Sequence, residues 1–185
     1  MLAYVFWHWR RPDVSAAAYE AAQRRFHAAL TASPPPGFRR SCSIAIAGAP
    51  WAAGGGEAYE DWYLVEGSAA LDPLNAAAIS APRQASHDAA AALASGGTAG
   101  LYSLRLGAPG APPRTATWLA KPAGMAYGEL FAMLEPLLRE DGAALWGRQM
   151  TLGPALEFCV HTARPVPLPP PLVPFALDCR TVWPS

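Results

Sequence analysis

Gly107-Ala108-Pro109-Gly110-Ala111-Pro112-Pro113-Arg114 runs directly into Thr115-Ala116-Thr117-Trp118-Leu119-Ala120. The first run holds three prolines and two glycines in eight residues. It supports neither helix nor ladder and reads as a linker over 108–114. The second run is β-branched and aromatic and reads as a strand. A fresh strand behind a linker means that the chain begins a second time.

Outward from that joint, the two sides carry related patterns. Upstream, Leu2 to Trp9 is aromatic and β-branched without a breaker, a strand. Its faces are Leu2, Tyr4, Phe6, His8 and Ala3, Val5, Trp7, Trp9. Both are bulky, so both are expected to be covered. Ser15 is placed to cap a helix over Ala16–Ala32, where Tyr19, Ala22, Phe26 and Leu30 recur at helical spacing. Pro34-Pro35-Pro36-Gly37 stops it. Strands follow over Phe38–Ala47 and Tyr59–Val65. An Ala-rich helical region over Ser68–Ser95, interrupted at Pro73 and Pro82, is closed by Gly96-Gly97, and Leu101–Leu106 is a strand. Downstream of the linker come the strand from Thr115 and an amphipathic helix over Ala126–Arg139 broken near Pro136. A hairpin over Leu145–Leu152 and Leu156–His161 follows. Arg164 to Pro174 contains six prolines and reads as an extended arm, with a last short strand over Phe175–Val182. The order strand-helix-strand-strand-helix-strand is that of a split βαβ, ferredoxin-like domain. The expected fold is therefore α+β with antiparallel sheets. Residues 1–107 form one unit, 115–162 an incomplete second, and 163–185 a Pro-rich C-terminal arm.

Composition narrows the partners. Fourteen basic and fourteen acidic residues cancel, which argues against a nucleic-acid backbone as ligand. With 52% hydrophobic and 15% charged residues, a sizeable core and some self-association are expected, so a homodimer is the expected state. No apolar run approaches the roughly 18 residues of a membrane span, and Met1 leads straight into a strand without a signal peptide, so a cytoplasmic location is expected. Three cysteines, Cys42, Cys159 and Cys179, lack ligand spacing and read as buried thiols.

The segment Tyr4-Val5-Phe6-Trp7-His8-Trp9-Arg10-Arg11-Pro12, then Tyr19, then Phe26-His27-Ala28-Ala29-Leu30 and the Pro-Gly-Phe-Arg-Arg after it, resembles the EthD-like members of the dimeric α/β-barrel superfamily. The resemblance covers the first half of the chain. It implies paired ferredoxin-like sheets around a small-molecule pocket and a cofactor-independent oxygenase, cyclase or isomerase acting on a small apolar or aromatic compound. It singles out His27.

The residues themselves suggest a pocket. His8 shares a strand face with Tyr4 and Phe6, making an aromatic wall with one titratable group. The expected site lies between the first strand and the sheet of the second unit. His8 and His27 are its candidate bases, and Tyr4, Phe6, Trp62, Tyr63 and Trp118 its ligand-binding residues. Glu157, Cys159 and His161 alternate on a strand, but one strand alone is a poor metal site, so neither a metal nor a cofactor is expected. His87-Asp88 are helical neighbours that are not expected to face each other. No nucleophile elbow, P-loop or dinucleotide fingerprint occurs. Beside the enzyme reading stand a non-catalytic ligand-binding protein and a structural dimerisation module.

Overall fold

The structure, a computed structural model, describes residues 1–184. β1 (Leu2–Arg10) enters α1 (Ala16–Ala32), and the Ser15 hydroxyl accepts the Ala18 N–H at 3.3 Å as the sequence led one to expect. β2 (Phe38–Ala47) and β3 (Glu57–Val65) follow, then α2 (Leu71–Ala78), α3 (Gln84–Ala91) and β4 (Ala94–Gly107). The second stretch supplies β5 (Thr115–Leu119), α4 (Tyr127–Leu134), β6 (Ala144–Arg148), β7 (Phe158–Thr162), β8 (Phe175–Asp178) and β9 (Arg180–Trp183). The Ala126 N–H donates to Glu129 Oε2 at 2.9 Å and starts α4, and Pro136 tightens its end into a 3₁₀ turn over Glu135–Leu138.

The nine strands form one antiparallel sheet in the order β8-β5-β7-β6-β4-β1-β3-β2-β9. It is nearly closed, because its two ends belong to one extended segment. β8 pairs with β5, β9 pairs with β2, and Cys179 lies between them with its N–H donating to the Arg114 carbonyl. The expected arm is thus two things. Residues 163–174 run irregularly over the surface, and 175–183 are ladder strands that cover the free edges of β2 and β5.

β4 starts earlier than expected. Gly96-Gly97 looked like the end of a helix, yet both lie inside the strand, opposite Trp9 and His8 of β1. A Cβ at Gly97 would fall 2.5 Å from the Phe6 ring, and one at Gly96 2.6 Å from Trp9. The glycines are there so that large rings can lie across the ladder.

β1 and β3 bury residues on both faces. The barrel-side residues Ala3, Val5, Trp7, Trp62, Tyr102, Trp118 and Trp146 pack into one aromatic core. The opposite face is covered by α1, α2 and α3 around Leu2, Phe26, Leu30, Tyr63 and Leu74. α4 covers Leu119, Leu145, Phe158 and Val160 in the second half. Among the described residues no helix is long and apolar enough to cross a membrane.

Candidate functional site

The alternation of β1 and β3 decides where the site can be. Tyr4, Phe6 and His8 point to the helices, as do their antiparallel partners Tyr63, Asp61 and Tyr59. Between this face and α1, α2 and α3 lies a cavity of about 470 Å³. Tyr4, Phe6, Phe26 and Tyr63 form its aromatic wall, Tyr19 and Asp61 its polar floor, and Asp72, Asn75 and His87 lie toward the helices α2 and α3. Trp62 and Trp118 are on the other side of the sheet, 1% and 0% exposed, among the barrel tryptophans. The space between the first strand and the second half is therefore filled, and the cavity lies on the helix face. A one-residue offset along β3 separates Trp62 from Tyr63, and that offset selects the face.

The polar floor is a connected chain. Asp61 is 1% exposed. Its Oδ2 accepts the Tyr63 hydroxyl at 2.9 Å. His8 Nε2 and His27 Nε2 each reach the same oxygen at 3.1 Å, although neither ring N–H is aligned with it. The far nitrogens are anchored in turn. His8 Nδ1 and the Tyr19 hydroxyl share a hydrogen bond of 2.6 Å, and His27 Nδ1 and Ser41 Oγ one of 2.7 Å. The sequence Tyr19–His8–Asp61–His27–Ser41 thus draws on β1, α1, β2 and β3. Tyr19 and Asp61 line the cavity, while His8 and His27 stand behind them.

Burial alone would raise the Asp61 pKa, but the charge that His8 and His27 carry when protonated, and their contacts, hold it well below the usual carboxylate range. The carboxylate is an anion throughout the physiological range. Desolvation and that anion push the Tyr19 phenol up, and Tyr63 well above its ordinary value. Asp61 Oδ1 is buried with no partner in the protein.

Of the expected residues, Tyr4, Phe6 and Tyr63 line the cavity, and His8 and His27 are brought together behind it. His27 is fully buried, because the inward stripe of α1 is wider than the four residues first picked out and includes Gln23 and His27. Asp61, Tyr19 and Ser41 were not foreseen as a group. The legible signal was Asp61 itself, a carboxylate at an inward position of a strand whose two faces are otherwise apolar or aromatic. His87 and Asp88 do meet, Nδ1 to Oδ1 at 3.0 Å, at the edge of the cavity, where the half-buried His87 ring packs edge-on against Phe26. Cys159 and His161 face the barrel interior, whereas Glu157 accepts the Tyr127 hydroxyl at 2.7 Å elsewhere. Among the described residues no three His, Cys, Asp or Glu side chains are grouped to hold a metal ion. No protein-family model matches the chain, and no curated protein matches its sequence.

Proposed function

We propose that the chain is a tandem ferredoxin-like α/β barrel whose helix-side cavity carries out cofactor-independent acid–base chemistry, of the isomerase type, on a small and largely apolar or aromatic compound. The strand orders support the architectural half of this reading. β4-β1-β3-β2 is repeated as β8-β5-β7-β6, with the stretch 163–174 in place of a second helix. The resemblance of the first half to EthD-like proteins points the same way.

One observation carries the chemical half: the hydroxyl of Tyr19, a buried residue of the cavity floor, is bonded to an imidazole, His8, whose other nitrogen meets a buried anion, Asp61. This is the connectivity of a nucleophile–histidine–carboxylate triad with a phenol as the presented group. Tyr19 passes its proton to His8 Nδ1 as its oxygen takes one from the substrate, and Asp61 stabilises the imidazolium that forms. The raised pKa of Tyr19 means that no phenolate accumulates, so the proton passes through in one step and can be returned to a second position on the substrate. Ser41–His27–Asp61 has similar connectivity, but Ser41 is fully buried away from the cavity and holds His27 in place.

The test is exchange of carbon-bound hydrogen in D2O, followed by proton NMR over a panel of small aromatic and unsaturated carbonyl compounds. The wild-type chain is expected to exchange or isomerise at least one of them. Tyr19→Phe and His8→Gln are expected to lower that rate about 100-fold or more. Equal rates for wild type and Tyr19→Phe on every compound overturn the catalytic reading. The non-catalytic binding reading then stands, favoured by the position of both imidazoles behind the cavity wall.

A further inference from the structure

We infer that the ligand of this cavity is an organic cation, a small aromatic or alkyl ammonium compound, held by Asp61 at the floor and by the faces of Tyr4, Phe6, Phe26 and Tyr63. The inference rests on the cavity reading above and names the class of compound for it.

Three observations lead there. The first is an unmet acceptor. A buried carboxylate normally has both oxygens satisfied. Asp61 accepts one aligned hydrogen bond, from Tyr63, and its Oδ1 has none. A donor from outside the protein is the missing partner. The second is charge. The ionisable lining consists of Asp61, Asp72, His87 and tyrosines, and among the described residues no Lys or Arg faces the cavity. An anion entering it would meet two carboxylates and no Lys or Arg, while a cation would meet Asp72 on entry and Asp61 at the floor. The third is the wall. Tyr4 and Phe6 are stacked with centroids 6.4 Å apart, and Tyr63 stands 6.0 Å from Tyr4 and 6.5 Å from Phe26. Aromatic faces attract ammonium groups by their quadrupoles, more strongly when desolvated. A carboxylate beneath aromatic faces, its two imidazoles behind the wall and no Lys or Arg in the lining, selects a positive charge.

The experiment is calorimetric titration of the full chain at pH 7 with three probes of one shape: 2-phenylethylammonium, 2-phenylethanol and 3-phenylpropanoate. The ammonium is expected to bind about tenfold or more tightly than the alcohol, and the carboxylate to be rejected. Asp61→Asn is expected to bring ammonium and alcohol to about equal affinity. Phe26→Leu, which leaves the polar chain untouched, is expected to cut the ammonium-to-alcohol ratio about threefold, and so serves if Asp61→Asn does not fold. Alcohol binding as tightly as the ammonium, or a preference that survives in Asp61→Asn, overturns the inference and leaves the cavity reading in place. Tight binding of Zn²⁺ alone, lost in His27→Ala, also overturns it, since the missing cation is then a metal. If none of the three probes binds, the cavity reading itself fails with it.

Discussion

Asp61 sets the energetics of its surroundings as well as the chemistry. Two imidazoles and a phenol converge on one buried carboxylate, so removing one of them leaves a charge that is harder to accommodate. His27→Leu is expected to cost about 3 kcal/mol in urea unfolding, as breaking a buried pair does. Adding Asp61→Asn to it should recover part of the loss, because the carboxylate that lacked a partner is gone. A double variant that is weaker by the full sum of the two single changes would refute the coupling. On the barrel side two other buried groups set a pH window. Burial raises Glu60 from 4.5 to about 8, against the opposing hydrogen bond from Trp62. The folded chain then holds a proton that the unfolded chain releases above about 4.5, so this contribution falls as pH rises from there through about 8. Burial lowers His161 from 6.5 to about 3, helped by Arg40. The unfolded chain takes up a proton below about 6.5 that the folded chain refuses, so stability falls as pH drops through that range. Together they predict greatest stability between about pH 4.5 and 6.5, and Glu60→Gln should flatten the alkaline side. A stability profile that still falls between pH 5 and 8 in Glu60→Gln would count against this account. The sequence made His8 and His27 visible as titratable groups, but not the carboxylate between them, because Asp61 is brought to both by strand pairing and helix packing rather than by spacing along the chain.

At the scale of elements, the most legible parts were those with local causes. α1 starts at a capping serine and stops before three prolines, and β2 runs between a Pro-Gly turn and a glycine loop, so their ends follow from the residues at hand. β4 did not follow, because its glycines answer to rings on another strand. Gly97→Ala is expected to destabilise by about 2 kcal/mol through collision with Phe6. In a Phe6→Ala background the same change should cost much less. An undiminished penalty there, read from thermal or urea unfolding, would show that the glycine serves the backbone and not the ring. α2 and α3 divide at Pro82, and the two helices together give the cavity its outer wall.

The whole molecule shows how a repeated strand order can enclose a core in one chain. The tryptophans that invited a ligand-lined interior instead fill it, with Trp62 and Trp146 centroids 5.2 Å apart and Trp7 and Trp118 5.7 Å apart. Sequence alternation established that both faces of β1 are covered, but not which cover is solid and which is hollow; only the placement of three helices decides that. The closing segment has a clear consequence. Ending the chain at Pro174 exposes the β2 and β5 edges, and light scattering should then show association beyond that of the full chain at the same concentration. Identical scattering from both would mean that β8 and β9 do not guard those edges. The central claim, that the helix-side cavity and not the barrel interior is the functional site, is tested most directly by two-dimensional NMR of the labelled chain with 2-phenylethylammonium. The account predicts shifts in the Tyr4, Tyr19 and Tyr63 ring signals and the Asn75 side-chain amide, with the indole N–H signals of Trp7, Trp62, Trp118 and Trp146 unmoved. Movement of those four indoles with the tyrosines silent would contradict it.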